Sequence, residues 1–207
     1  MPVTESRLAT RDAILEATDR LLARFGYRKM SMDDLAREAR IGRRTIYLHF
    51  QSKEEVALAS IDRVVERLVG ALIAIARGAD PADARLRAML RTRVLFRFDS
   101  VRGYYQSLDD LFAALRPAYM ARRDRYFEAE ARLFAEVLEE GRRAGLFAFD
   151  EAIATGHTLL LATNSLLPYS LTARELGERR DVEAKVTRIA DLLVGGLRPS
   201  QERRTRE

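Results

Sequence analysis

Apolar residues recur at intervals of three and four along nearly the whole chain, and no strict alternation is sustained, which predicts an all-α fold. The first helix opens near Thr10, with Asp12 in its first turn suiting the positive end of the helix dipole. It presents Ile14, Ala17, Leu21, Leu22 and Phe25 on one face, and Gly26 supplies its stop. A short second helix follows in "MSMDDLAREA", where Ser31 can cap the exposed amides and Met30 and Leu35 stand at hydrophobic-staple positions. It ends near Ala39 or Arg40, and "IG" leads into a third short helix. There Gly42 serves as cap and Ile41 and Ile46 again stand at staple positions.

A fourth helix begins at "SKEE", where Ser52 and Glu55 make a capping box. It carries Ala57, Ile61, Val64, Leu68, Leu72 and Ile75 on one face until Gly78, and "GADP" is the clearest break in the chain. Beyond it the pattern predicts helices near 82–98, 104–116, 117–144, 150–173 and 181–197. Pro117 fits the first turn of the longest, where its missing N–H costs nothing, and "GRRAGLF" closes that helix. The stretch 199–207 is charged and almost without apolar residues, the composition of a frayed or disordered tail.

Composition narrows the class. With 207 residues, 47% of them hydrophobic, the chain can bury a core without staples. The run "LVGALIAIA" falls well short of the roughly 20 residues that span a bilayer. The N-terminus lacks the apolar segment of a secretory signal, and cysteine is absent, so the expectation is a cytoplasmic protein without disulfides, thiolate metal sites or membrane association. The net charge of +5 is unevenly placed: residues 1–53 hold 11 Lys/Arg against 7 Asp/Glu, and the rest is nearly balanced. A basic N-terminal segment on a near-neutral body points to a polyanion partner for that segment, nucleic acid ahead of an anionic membrane surface.

Two short helices joined by a tight turn and braced by a longer one form a helix-turn-helix, whose second short helix enters the DNA major groove. Within "IGRRTIYLHF", Ile46 and Phe50 can face the first two helices, which leaves Arg43, Arg44, Thr45, Tyr47, Leu48 and His49 outside. Arginine pairs with guanine O6 and N7, and threonine reaches a base edge or thymine methyl. Tyr47 suits a phosphate oxygen, as do Lys53 and Ser31 with the amides at their helix starts. His49 fits either a backbone contact or a packed helix end. A helical hairpin whose charges only keep it soluble is the plainer alternative, and the joint spacing of caps, Thr45, Tyr47 and Lys53 favours DNA.

At these residues the sequence resembles the TetR family of bacterial transcriptional regulators. The motif runs from "SMDDLAREA" through "TIYLHFQSKEEV", and the resemblance covers residues 8–60 in detail. In one respect the chain departs from it: the family commonly has glycine in the turn and serine at the next cap, whereas Arg40 and Gly42 stand here. A positive φ at Arg40 would strain the backbone, and its side chain is a further candidate for a phosphate contact.

The resemblance implies a helix-turn-helix head in residues 1–53 and a ligand-sensing, dimerising domain in 54–198, whose last two helices pack with those of a second copy. On the residues themselves, the apolar stripe Ile153, Leu160, Leu167 and Leu171, with Ile189 and Leu193 further on, suits either a dimer interface or the protomer core. His157 and Asn164 interrupt that stripe and Arg93 interrupts another. With Phe96, Tyr104, Tyr105, Phe112 and Tyr126 they are candidates for an amphipathic effector pocket, or else satisfied internal polar groups. No nucleophile motif or metal-ligand spacing appears, so neither an enzyme nor a cofactor is expected. The function expected is a homodimeric repressor released from a pseudo-palindromic operator on double-stranded DNA by a small-molecule effector. A nonspecific architectural DNA binder and a ligand-binding protein without operator specificity are the alternatives.

Overall fold

A computed structural model of the chain describes residues 2–103 and 108–199; Tyr104, Tyr105 and the stretch 200–207 lie outside the described residues. Nine α-helices occur among the described residues: α1 (Pro2–Lys29), α2 (Met32–Ala39), α3 (Arg43–His49), α4 (Lys53–Ala76), α5 (Ala82–Val101), α6 (Leu108–Arg143), α7 (Ala152–Thr163), α8 (Ala173–Leu176) and α9 (Arg179–Gly196). They divide into two compact units. Unit 1 takes in 1–65 and 100–121, and unit 2 takes in 66–99 and 122–207, so α4 and α6 each contribute to both. No described helix is long and apolar enough to cross a membrane.

In unit 1, α1 buries Ile14, Leu15, Ala17, Leu21 and Leu22. Gly26, at φ 72°, interrupts the helix as expected. The chain is redirected there, so Tyr27 rather than Phe25 takes the last core position; Phe25 is exposed beneath the Arg24 guanidinium. Helix α2 packs on α1 through Leu35 and Ala36, with the Arg20–Glu38 ion pair (2.6 Å) at its edge. Arg63 of α4 reaches Asp19 of α1 at 2.6 Å.

Two prolines act against the sequence pattern. Pro117 was expected to open a helix, yet 108–143 is one helix with the proline inside it. A proline there forfeits one backbone bond and crowds the preceding turn. In unit 1 the burial of Leu111, Leu115 and Tyr119 around it opposes a break. The converse holds at Pro168. A helix expected over 150–173 stops at Thr163 and continues as two 3₁₀ turns, with Leu167 extended at φ −89°, ψ 145°. The residue before a proline is pushed out of the helical region by the proline ring, which accounts for the extended Leu167.

Unit 2 is built around Leu68, Leu72, Leu86, Met89, Phe134, Leu138, Leu160 and Val194. Its helices approach closely where glycine permits. A Cβ on Gly156 would lie 2.9 Å from the Ala131 carbonyl oxygen, so α7 can press onto α6 only without a side chain at this position. The segment "GRRAGLF" closes α6 through a Schellman motif: Gly145 at φ 72° donates to the Arg142 carbonyl (3.0 Å), and Leu146 donates to that of Gly141 (2.9 Å).

Candidate functional site

The α2–α3 turn repeats that Schellman motif without the glycine. The Arg40 N–H bonds the Arg37 carbonyl at 3.2 Å, and the Ile41 N–H bonds that of Ala36 at 3.1 Å. Arg40 therefore occupies the left-handed position at φ 56°, ψ 39°. A left-handed residue with a Cβ costs about 1–2 kcal/mol, while glycine's greater freedom in the unfolded chain returns roughly 0.5–1 kcal/mol of that. Arg40→Gly is accordingly expected to stabilise unit 1 by up to about 1 kcal/mol in denaturant melts. A destabilised variant would mean that the exposed Arg40 side chain makes a compensating contact.

Both short helices are held by their caps. Ser31 Oγ accepts from the Asp34 amide (3.1 Å), and the Asp34 carboxylate accepts from the Ser31 amide (3.1 Å) and hydroxyl (2.6 Å). These bonds, the Ser31 hydroxyl foremost, hold Asp34 below the usual carboxylate range. Ser31 thus has a structural task besides any phosphate contact. Gly42 is extended at φ −64°, ψ 142°, and its carbonyl accepts from the Thr45 and Ile46 amides, with no side chain capping α3.

Helix α3 has two faces. Ile46 and Phe50 are buried, while Arg43, Arg44, Tyr47 and Leu48 are exposed and Thr45 and His49 half-buried. Arg43 is tethered: its Nε lies 3.1 Å from Asp33 and its guanidinium 5.7 Å from the Tyr47 ring centre. Tyr47 and Asp33 together raise its pKa. Arg44 has no such partner among the described residues, so it is the freer of the pair to reach a base edge. Leu48, at 68% exposure, is the apolar group on this face that can meet a thymine methyl.

Two expected contacts look different in three dimensions. Lys53 Nζ donates to the carbonyls of Tyr27 (3.1 Å) and Arg28 (3.4 Å) and stands 4.5 Å from the Tyr27 ring centre. An ammonium has three donors, so one remains for a phosphate. His49 is held below the usual imidazole range by burial and then by Arg7 and Arg11. Both effects favour its neutral form over the charged one. Asp33, which aims Arg43, has no mark in the sequence beyond its place in the first turn of α2.

The described body candidates lie in several different surroundings. Arg93 and Asn164 do meet, with Arg93 Nη2 2.8 Å from Asn164 Oδ1, but inside a closed network. Arg93, only 1% exposed, also bonds Glu130 (2.7 Å), Thr163 (2.7 Å) and the Leu160 carbonyl (3.2 Å). Arg97 pairs with the other Glu130 oxygen. His157 stacks on Phe127 at 5.5 Å and faces Glu128 at 3.1 Å. Phe96 packs against the unit 2 core, and Phe112 belongs to unit 1, edge-on to Tyr119. Tyr126 keeps a buried hydroxyl with no hydrogen-bond partner.

The interface candidates divide between the two readings the sequence left open, protomer core and surface. Leu160 and Leu167 are fully buried within the protomer, and Leu171 lies beyond the end of α7. Ile189 and Leu193 are half-buried, and Leu193 packs on the core. The leucines exposed on these elements are Leu161 of α7 (57%) and Leu192 of α9 (73%). No group of three or more His, Cys, Asp or Glu among the described residues could hold a metal ion.

Comparison with known proteins follows this division. Residues 14–60 match the family model described as "Bacterial regulatory proteins, tetR family". The chain is 40% identical over 88 residues to the HTH-type transcriptional regulator EthR of Mycobacterium tuberculosis, which is 42% of this chain and 40% of that one. It is 30% identical over 151 residues to the HTH-type transcriptional regulator TcmR of Streptomyces glaucescens, or 70% of this chain and 61% of that one. The match thus spans less than two thirds of either relative. Among solved structures, a TetR-family regulator from Pectobacterium atrosepticum superposes with a TM-score of 0.73 at 21% identity, covering 95% of this chain and 97% of that one.

Proposed function

The chain belongs to the TetR family of bacterial regulatory proteins, and from that premise we propose that it is a homodimeric repressor released from a pseudo-palindromic operator by a small molecule. The observation that carries the reading is the two-faced α3, with Ile46 and Phe50 buried and Arg43, Arg44, Tyr47 and Leu48 turned outward. In this reading α3 enters the major groove. Arg44 reads guanine, Leu48 and Thr45 meet a neighbouring base, and Tyr47, Lys53 and the α2 N-terminus hold phosphates.

Two half-sites must be met at once, and equivalent grooves lie about 34 to 36 Å apart. An effector that alters the separation of two heads by a few ångströms forfeits contacts on both. Coupling of about 1–3 kcal/mol, usual for allostery, weakens binding about 5- to 150-fold. Helix α4, which like α6 has residues in both units, is the covalent link along which we propose such a change passes from the head.

The test selects bound sequences from random DNA and then compares variants on the winner. Arg44→Ala is expected to cost about 1–3 kcal/mol on the best site and to relax preference at one base position of each half-site. An unchanged preference would remove Arg44 from base reading. Equal affinity for selected and random DNA at physiological salt would replace the operator reading with that of an architectural binder.

A further inference from the structure

We propose that the effector of unit 2 is an organic carboxylate with an apolar body, bound side-on by Arg123 and by the hydroxyl of Tyr126. This rests on the reading of the chain as a ligand-responsive regulator and names the chemistry of the ligand.

The starting point is an imbalance of charge and hydrogen bonding. Arg93, Arg97 and Arg123 all belong to unit 2. Glu130 is shared between Arg93 and Arg97, which use both of its oxygens. Arg123 is left over: among the described residues no carboxylate pairs with it, and its Nε is buried without a hydrogen-bond partner. It is linked to the network through Tyr169, whose hydroxyl donates to Asn164 Oδ1 (3.1 Å), the atom that also accepts from Arg93. Arg123 is half-buried as a residue, but its Nε–H is buried, and a buried N–H without an acceptor is unfavourable.

The surroundings of Arg123 specify what completes it. Its guanidinium carbon lies over the rings of both Phe127 and Tyr169, 5.6 Å from each ring centre, so the group sits in an aromatic setting. The unpartnered Nε–H belongs to the planar edge of the guanidinium, where Nε–H and one Nη–H point the same way and match the two oxygens of a carboxylate. Tyr126 stands three residues on, the spacing that puts two side chains on one face of a helix, and its hydroxyl is also buried and unpartnered. Two unsatisfied donors on one face call for one acceptor group, and the flanking rings favour an apolar body behind it.

Calorimetry on the full chain with benzoate and octanoate, each beside its neutral amide and beside inorganic phosphate, tests this directly. At least one carboxylate is expected to bind while its amide and phosphate do not. A charge-assisted pair is worth about 1.5–3 kcal/mol, so Arg123→Gln is expected to weaken that binding on the order of 10- to 100-fold. Tyr126→Phe keeps the ring and removes the hydroxyl, and is expected to weaken it about 3- to 10-fold. Failure of both carboxylates, equal binding by the amides or phosphate, or unchanged affinity in a folded Tyr126→Phe and Arg123→Gln pair would overturn the assignment. The same carboxylate is then added to the complex with selected DNA. Binding that depends on Arg123 but does not release DNA would uphold the anion site and overturn its role as the effector site.

Discussion

Glu130→Ala is expected to remove about 3–5 kcal/mol of stability, the usual penalty for stripping one partner from a buried ion pair. Glu130 is 1% exposed, and so is Arg93, which it meets at 2.7 Å. Burial opposes the charge of Glu130, but Arg97 and Arg93 outweigh it and leave the carboxyl below its usual range. Burial likewise pushes Arg93 down, against the pull of Glu130. Removing the carboxylate therefore leaves two guanidiniums in a low-dielectric interior facing only neutral acceptors and each other. Total stabilities of about 5–15 kcal/mol are typical, so the loss would take a large share of what holds unit 2 together.

The same pair sets a dependence on pH. A carboxyl whose folded pKa is depressed contributes stability above its unfolded pKa and loses it as pH falls through the folded value. The wild type is therefore expected to lose this contribution on acidification below the ordinary carboxylate range, and Glu130→Ala is expected to show a shallower acid limb. Urea melts at neutral and acid pH measure both effects. A loss under about 1 kcal/mol at neutral pH would mean that water or a rearranged acceptor replaces Glu130.

What was legible in the sequence was local. The stop at Gly26, the cap at Ser31, the strained turn at Arg40 and the burial of Ile46 and Phe50 each depend on residues within one or two helical turns, and each is found. Partners across the fold were not legible. Arg93 interrupts an apolar stripe, so its burial could be read, but Glu130, Thr163 and Asn164 stand 37, 70 and 71 residues away and no periodicity points to them. Nor could periodicity weigh Pro117 against Pro168. Both lie in apolar helical patterns, yet α6 continues through the first while the second follows an extended residue. The stripe Ile153, Leu160, Leu167, Leu171 is broken for that reason: its lower half is not α-helical.

Exposure places the expected dimer surface one residue along, at Leu161 and Leu192, and Leu161→Glu combined with Leu192→Glu is expected to yield folded monomers. Leu160 points into the core, so Leu160→Ala is a folding mutation costing about 2–5 kcal/mol, not a probe of association. Leu161 is its exposed neighbour on α7, and Leu192 is the most exposed large apolar side chain of α9. The two helices pack on each other. Beyond Leu192, Gly195 and Gly196 are open, with nothing within 4 Å of an added Cβ, so a partner's backbone can come close there. Glutamates at 161 and 192 leave the protomer core intact but place charge in any interface formed on this surface, where an unpaired buried charge is costly. For an operator held by two heads, loss of the dimer removes the bivalent advantage, and affinity is expected to fall about 10²- to 10⁴-fold at fixed salt. Sedimentation velocity reports the oligomer, far-ultraviolet circular dichroism the fold, and fluorescence anisotropy the DNA affinity. A double variant that still sediments as a dimer would place the interface on another surface. A monomer that keeps full operator affinity would contradict recognition by two linked heads.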